Sequence, residues 1–251
     1  MEYLVILPFA PDYASGRELE TAVRGWHRHF LTPDGFRLVV IGESCEVTDK
    51  LAADGLIEHI QRRTPWSNAG PEREFAAIAE LVCDTFGNDY GGFIKTDDDI
   101  YPVNDFTLEA VKMIKWIGEP LRGTDKHPNH FIRAMYATQT ALAEKGRPTL
   151  NYCSHAPRWY SCAWLRSVLA EYRCTEVPHL VEPLYFNCVY SGREPKVNVN
   201  MKGNPLKFGI YGPVTDATLA EVEAAIRSGV KWVNHSAPYY DESVLEIVNR
   251  F

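Results

Sequence analysis

Residues 92–102 read Gly92-Phe93-Ile94-Lys95-Thr96-Asp97-Asp98-Asp99-Ile100-Tyr101-Pro102, and this stretch decides how the rest of the chain is read. Gly92 to Thr96 has the make-up of a short strand, and it runs straight into three adjacent aspartates. Like charges at this spacing repel, and each raises the pKa of its neighbours. A divalent cation relieves that repulsion. Mg²⁺ or Mn²⁺ prefers hard oxygen ligands and often takes only one or two carboxylates, while phosphate oxygens and water complete the shell. Alternate side chains of an extended segment point to opposite sides. If the extended form persists through the triplet, Asp97 and Asp99 share a side and Asp98 faces away. The competing reading is a solvated turn or a helix cap. The apolar strand before the triplet and Ile100-Tyr101-Pro102 after it weigh against that.

Working outward, Tyr3 to Leu7 is a nearly continuous apolar run, as in a strand buried on both faces, and Pro8 ends it. Ser15 and Glu18 form an S-x-x-E capping box, followed by Leu19, Val23, Trp26 and Phe30 at helical spacing. Phe36 to Ile41 reads as a second strand and Leu56 to Ile60 as a third. Pro71 suits the first position of a helix with Phe75, Ile78, Ala79 and Val82 as its stripe and Gly87 as its C-terminal cap. Asn104 or Asp105 is expected to cap a helix through Leu108, Val111 and Ile114. Strand and helix thus alternate over the first 117 residues, the pattern of a parallel, doubly wound sheet. In such sheets ligands bind at the carboxyl ends of the strands, where Glu43 and the triplet both fall.

The second half is less regular. Phe131 to Thr138 is read as a strand, and Cys162 to Tyr172 as a helix with Trp164, Leu165, Val168 and Leu169 on one side. Thr215 or Asp216 caps a helix through Leu219, Val222 and Ile226, closed by Gly229. Val230 to Val233 is a short strand and Ser243 to Phe251 a final helix. The Gly/Pro/Asn-rich segment from Ser191 to Pro205 reads as an irregular loop.

A chain of 251 residues with 45% hydrophobic content is ordinary for a one-domain α/β enzyme. Its formal charge of −7 favours solubility and argues against non-specific wrapping of nucleic acid. No segment reaches the roughly 18 apolar residues needed to span a bilayer. The N-terminus lacks a basic start and a long apolar run, so it is read as a strand rather than a secretory leader. None of the six cysteines forms a C-x-x-C pair, which argues against a zinc site, and with the N-terminus read as a strand, reduced thiols in a cytoplasm are the expectation. The chain carries no P-loop, no G-x-G-x-x-G and no G-x-S-x-G elbow.

Phe93-Ile94-Lys95-Thr96-Asp97-Asp98-Asp99-Ile100-Tyr101-Pro102-Val103-Asn104 resembles the K-T-D-D-D segment of GT-A-fold glycosyltransferases, especially the β-1,3-galactosyltransferase and Fringe group. Trp159-Tyr160-Ser161-Cys162, before an amphipathic helix, is similar to that group's G-x-x-Y-x-x-S stretch. Glu182-Pro183-Leu184-Tyr185-Phe186 falls where the group carries E-D-V, with Pro183 in place of the usual catalytic aspartate. The resemblance covers residues 1–190 and is specific around the triplet. It implies a single GT-A-like (Rossmann-like) domain over residues 1–251, a mostly parallel sheet flanked by helices. Residues 1–117 would form the nucleotide-sugar half and 118–251 the acceptor half. It further implies that Asp99 ligates Mn²⁺ or Mg²⁺, that Asp97 reaches the ribose or the metal's water shell, and that Asp98 orients the triplet or meets the donor sugar. His235, after the last predicted strand, matches a late histidine ligand of such enzymes; a structural histidine is the alternative.

In this fold the loops after the first strands hold the nucleotide, which nominates Phe9, Ala10, Asp12 and Glu43. Glu43 could accept from a pyrimidine edge or be a solvated carboxylate. Arg73 could pair with the diphosphate, with Asp97, or with a surface carboxylate. Lys95 could lie near the phosphates or be exposed. An inverting transfer needs a base near the acceptor hydroxyl, and Glu182 is the first candidate, with Glu194 and Asp241 as competitors. Trp159, Tyr160, Tyr185, Tyr239 and Tyr240 could stack on a sugar or pack in the core, and His155 could border the acceptor.

The expected function is transfer of a sugar from a nucleotide-sugar donor, a UDP-sugar first, to a hydroxyl of a glycan or small molecule. A modified DNA base is a further acceptor class that the acidic charge does not favour. A sugar-phosphate or nucleotidyl transferase would use the same carboxylate-bound metal, and a non-catalytic carbohydrate-binding domain is the third class.

Overall fold

Strand β1 (Tyr3–Phe9) is the centre of the fold. Val5, Leu7 and Phe9 pack into one apolar cluster, while Leu4 and Ile6 pack into another. This is the period-two division of a strand buried on both faces. The computed structural model describes residues 3–11, 14–62, 71–113, 133, 136–137, 140, 143–144, 157–173, 206–235 and 239–251, without the side chains of residues 71–75, 113, 168 and 171–173.

The remaining strands are β2 (Phe36–Gly42), β3 (Glu58–Gln61), β4 (Gly92–Lys95), β5 (Ile100–Pro102), β6 (Arg158–Ser161), β7 (Lys207–Ile210) and β8 (Trp232–His235). They form a five-stranded sheet of order β3-β2-β1-β4-β6 and a three-stranded sheet of order β5-β8-β7. In the larger sheet β1, β2, β3 and β4 run parallel and β6 runs antiparallel to β4. In the smaller one β5 is antiparallel to β8, and β7 is parallel to it.

The helices are α1 (Gly16–His29), α2 (Glu46–Ala53), α3 (Pro71–Tyr90), α4 (Leu108–Met113), α5 (Cys162–Arg173), α6 (Asp216–Arg227) and α7 (Glu242–Val248). Residues of α1, α4, α6 and α7 join the cluster on one face of β1, and residues of α3 and α5 join the other. The molecule is therefore mixed α/β, with a mostly parallel central sheet flanked by helices. The expected capping box opens α1: Ser15 Oγ accepts from the Glu18 amide at 3.2 Å, and Glu18 Oε2 accepts from the Ser15 amide at 2.7 Å. Trp26 and Phe30 then meet Phe106 at centroid distances of 5.2 and 5.1 Å, and Phe106 meets Trp232 at 4.9 Å. This aromatic chain ties the first helix to the smaller sheet. None of the described helices is long and apolar enough to cross a membrane.

Several boundaries differ from the sequence reading. α3 runs through Gly87 to Tyr90, because the residue with the left-handed backbone that stops it is Gly91, at φ 60°. Asn104 does not cap α4; its Nδ2 donates to the Ile226 and Val230 carbonyls at 2.9 and 2.7 Å. Asp105 accepts from His29 Nδ1 at 3.1 Å. Residues 133, 136 and 137, expected in a strand, are helical. Trp164 is 49% exposed rather than part of the buried stripe. The last strand begins at Trp232, two residues later than expected, and β5 and β7 were not anticipated. The loop of residues 191–205 lies outside the described residues.

Candidate functional site

The acidic triplet sits where the two sheets join. β4 pairs with β1 through Val5 with Ile94 and Ile6 with Lys95, and the Thr96 amide extends that ladder to the Ile6 carbonyl at 2.9 Å. The chain then turns, with the Ile100 amide donating to the Asp97 carbonyl at 3.2 Å, and Ile100 starts β5 in the other sheet. β2 lies on one side of β1 and β4 on the other, so the order of connection reverses between β1 and β4. A switch of this kind opens a crevice at the carboxyl ends of the strands. β1 ends at Phe9 and Ala10, and β4 ends at the turn of Asp97 to Asp99, on the two sides of this switch point.

The three carboxylates divide between two environments. Asp97 Oδ1 is 2.7 Å from the ammonium of Lys95, which is itself buried. Burial pushes the Asp99 carboxyl up to about 7, and Asp97 adds to the rise; Lys207, Lys95 and a hydrogen bond from Asn234 oppose it. Asp98 feels Glu18 instead. Burial raises it well above the usual carboxylate range, with Asp99, Asp97 and Glu18 adding their repulsion. The segment is a turn rather than extended, so the alternation expected of Asp97, Asp98 and Asp99 does not apply; Asp97 and Asp99 do share the influence of Lys95 and Lys207.

Glu18 does two jobs. As the third residue of α1 it closes the capping box, and its Oε1 also accepts from the Tyr101 hydroxyl at 3.5 Å. Its carboxyl is pushed up by burial, against the pull of Ser15, His235 and Tyr101. On the other side of the triplet are two cations that the sequence reading did not single out. Arg158 stands directly opposite Lys95 in the antiparallel β4–β6 pair and is buried. Lys207 opens β7; burial lowers its ammonium to about 8, Asp99 and Asp97 work against that fall, and Arg158 and Lys95 add to it. The available signal was a lone cation heading each of two short apolar runs, Arg158-Trp159-Tyr160 and Lys207-Phe208-Gly209-Ile210.

His235 is fully buried at the end of β8, and its amide donates to the Asp99 carbonyl at 2.9 Å. Its Nε2 lies 2.7 Å from the Tyr239 carbonyl, so that nitrogen carries a proton, and the ring stacks on Tyr240 at 6.0 Å. Its Nδ1, like Asp99 Oδ1, is buried with no hydrogen-bond partner among the described residues. Both are lone-pair atoms of the type a divalent cation takes. An imidazole that donates its other N–H to a carbonyl has the usual support of a metal-ligating histidine. Among the described residues, however, no three His, Cys, Asp or Glu side chains already stand in a metal-holding group. Asp97, Asp99 and His235 are therefore not a preformed cage. A cation at this turn must draw other ligands from phosphate oxygens and water, as Mg²⁺ commonly does.

Other expected residues are placed as follows. The Phe9 ring and Ala10 are buried, so their side chains offer a ligand no surface, and the Ala10 carbonyl accepts from the Ala14 amide at 3.2 Å. Glu43 follows β2 at the same sheet edge and is half-buried. Asp241 caps α7 through the Ser243 amide at 2.9 Å, which gives it a structural role. Tyr160 is core, stacked on Phe93 at 5.6 Å, and Trp159 lies under the Lys112 ammonium at 5.4 Å. Arg73 lies in the first turn of α3, but its side chain is not among those described. Asp12, His155, Glu182, Tyr185 and Glu194 lie outside the described residues.

No protein-family model matches the chain, and no curated protein matches it.

Proposed function

We propose that the chain is a metal-dependent glycosyltransferase that takes a nucleotide-sugar, a UDP-sugar first, and passes the sugar to an acceptor hydroxyl. One observation carries this reading: three mutually repelling carboxylates occupy the switch-point turn, and the buried Asp99 Oδ1 has no hydrogen-bond partner among the described residues. A mostly parallel sheet with the acidic turn at its switch point is compatible with the GT-A fold that the K-T-D-D-D resemblance implies.

Asp97 and Asp99, with His235 as a further donor, would hold Mn²⁺ or Mg²⁺. The bound ion supplies neutralisation of charge on the departing nucleoside diphosphate. Lys95 keeps Asp97 paired until a ligand arrives. Lys207 places a further positive charge by Asp97 and Asp99, and Arg158 stands opposite Lys95 in the sheet, where phosphate oxygens would find cations. Asp98, whose carboxyl is pushed up by burial and by Asp99, Asp97 and Glu18, would orient the triplet or meet the donor sugar. Glu182 is proposed as the base for the acceptor hydroxyl, by its place in the sequence. Glycans and small hydroxylated molecules are the favoured acceptors and a modified DNA base the less favoured one. A cytoplasmic setting is proposed from the cysteine usage.

The test is a donor screen of nucleotide-sugars with and without Mn²⁺, scored by the nucleotide released. The expected product is nucleoside diphosphate, lost on chelation and lost in Asp99→Ala while the fold survives. Release of monophosphate points instead to a sugar-phosphate or nucleotidyl transferase. Sugar binding that depends on neither nucleotide nor Mn²⁺ points to a non-catalytic carbohydrate-binding domain. Unchanged donor affinity in Asp99→Ala removes the assigned role of the triplet.

A further inference from the structure

Along β7 and just beyond it, Lys207, Gly209 and Tyr211 share one side of the strand, because alternate residues do. Lys207 begins this row among the charges of Asp97 and Asp99. Tyr211 ends it, and the tyrosine is 55% exposed. A single exposed aromatic is ordinary on a protein surface. This one differs because its ring is held. The hydroxyl donates to Asn234 Oδ1 at 3.0 Å, and Asn234 Nδ2 donates in turn to the Asp99 carbonyl at 3.3 Å. The ring lies back across Gly209, where an added Cβ would fall 2.3 Å from Cε2 and 2.7 Å from Cζ of Tyr211. Only a glycine leaves that space.

Pinning a side chain costs rotamer entropy, and a ring that stays more than half exposed recovers little of it through burial. The arrangement makes sense where the uncovered face is used, since a receptor surface fixed in advance loses less freedom when a ligand arrives. The chemistry of that face selects the ligand. A flat apolar ring beside a cluster of carboxylates and ammonium groups suits a molecule with one C–H face and a rim of hydroxyls. A pyranose ring has that form. A nucleobase also has a flat face, but Glu43, the half-buried carboxylate expected to meet a pyrimidine edge, follows a strand of the other sheet.

We propose that Tyr211 is a stacking platform for a sugar ring, fixed by Gly209 and Asn234 and aligned on Asp99. Its assignment to the acceptor sugar rests on the glycosyltransferase reading, whereas the platform itself does not. Three substitutions separate its parts. Tyr211→Ala removes the ring. Gly209→Ala leaves the ring but pushes it off the strand. Tyr211→Phe keeps the ring and cuts the tether to Asn234.

Saturation-transfer NMR with methyl β-D-galactopyranoside, methyl β-D-glucopyranoside and N-acetylglucosamine tests binding without requiring turnover. The wild-type chain is expected to transfer magnetisation to the ring C–H protons of at least one of these sugars. Tyr211→Ala should abolish the transfer, Gly209→Ala should weaken it strongly, and Tyr211→Phe should keep most of it. In turnover, Tyr211→Ala should raise the acceptor KM about tenfold and leave the donor KM unchanged. No transfer to any of the sugars in the wild type, or equal transfer in Tyr211→Ala, overturns the platform. Transfer to the base protons of UMP that requires Tyr211, with none to the sugars, overturns the sugar assignment. Nucleoside diphosphate release with an unchanged acceptor KM in Tyr211→Ala sinks the platform and leaves the transferase reading standing. Tyr211-dependent sugar binding in a chain that releases no nucleotide from any donor supports the platform and sinks the transferase.

Discussion

Strands β1 and β4 are neighbours in one sheet and are equally sealed from solvent, yet their ends are opposites. β1 ends in Phe9 and Ala10, which remain in the core. β4 ends in a turn of three carboxyls, two of which hold their protons more tightly than an ordinary aspartate. In β1, sequence, burial and stability agree. At the end of β4, packing and electrostatics conflict, and the conflict is reduced only partly by Lys95 and Lys207. Stability is concentrated along the strands, while the unrelieved repulsion is concentrated at a switch point where a ligand can reach it.

The largest expected effect tests the stable member of this pair. Leu7→Ala empties a fully buried position and should lower unfolding free energy by about 2–5 kcal/mol, read from denaturant titration. A loss well under that range would mean that β1 is not the structural centre.

The next tests the strained member. Asp98 and Asp99 have folded-state pKa values raised above their unfolded ones, so the folded protein binds their protons more tightly. The contribution of Asp99 is complete below the ordinary value of 3.8 and is lost as pH rises through about 7. In metal-free buffer Asp99→Asn should flatten this loss and exceed the wild type at pH 8 by on the order of 2 kcal/mol. Mn²⁺ affinity of the wild type should rise with pH across the same window, because proton and cation compete for one site. Equal stability of the two proteins across the window contradicts the strain assigned to the triplet.

Between these regions Asn104 fastens the segment after β5 to the turn between α6 and β8. Asn104→Ala removes both bonds, leaving the Ile226 carbonyl its Gly229 amide but taking the Asn104 donor from the Val230 carbonyl, and should cost about 1–2 kcal/mol by the same titration, without changing Mn²⁺ affinity. The smallest effect is at the surface. Arg24→Ala removes an exposed pair with Glu20 on α1 and should cost less than about 0.5 kcal/mol.

What could be read from the sequence follows the same division. β1, β2, β4 and the Ser15–Glu18 cap were legible because each is specified by residues adjacent in the chain: an apolar run, a cap three residues from its partner, a glycine or proline at an edge. The repulsion within the triplet was legible because it too is local. The second sheet was not, because β5 and β7 are three- and four-residue strands whose identity depends on β8, more than a hundred residues beyond β5. For the same reason Lys207, Arg158, Tyr211 and Glu18 went unnoticed as neighbours of the aspartates. Each is an ordinary residue locally and acquires its significance only through register or folding back. Phe9 was nominated by its place after a strand, which cannot reveal that its ring turns inward.

Manganese supplies the most direct test of the claim that the acidic turn anchors a cation and a diphosphate. Titration of Mn²⁺ into the protein with UDP present, followed by loss of the free-ion electron paramagnetic resonance signal, should show one bound ion per chain in the wild type and none in Asp99→Asn. Binding that is equal in the two proteins, or absent from both, contradicts the account.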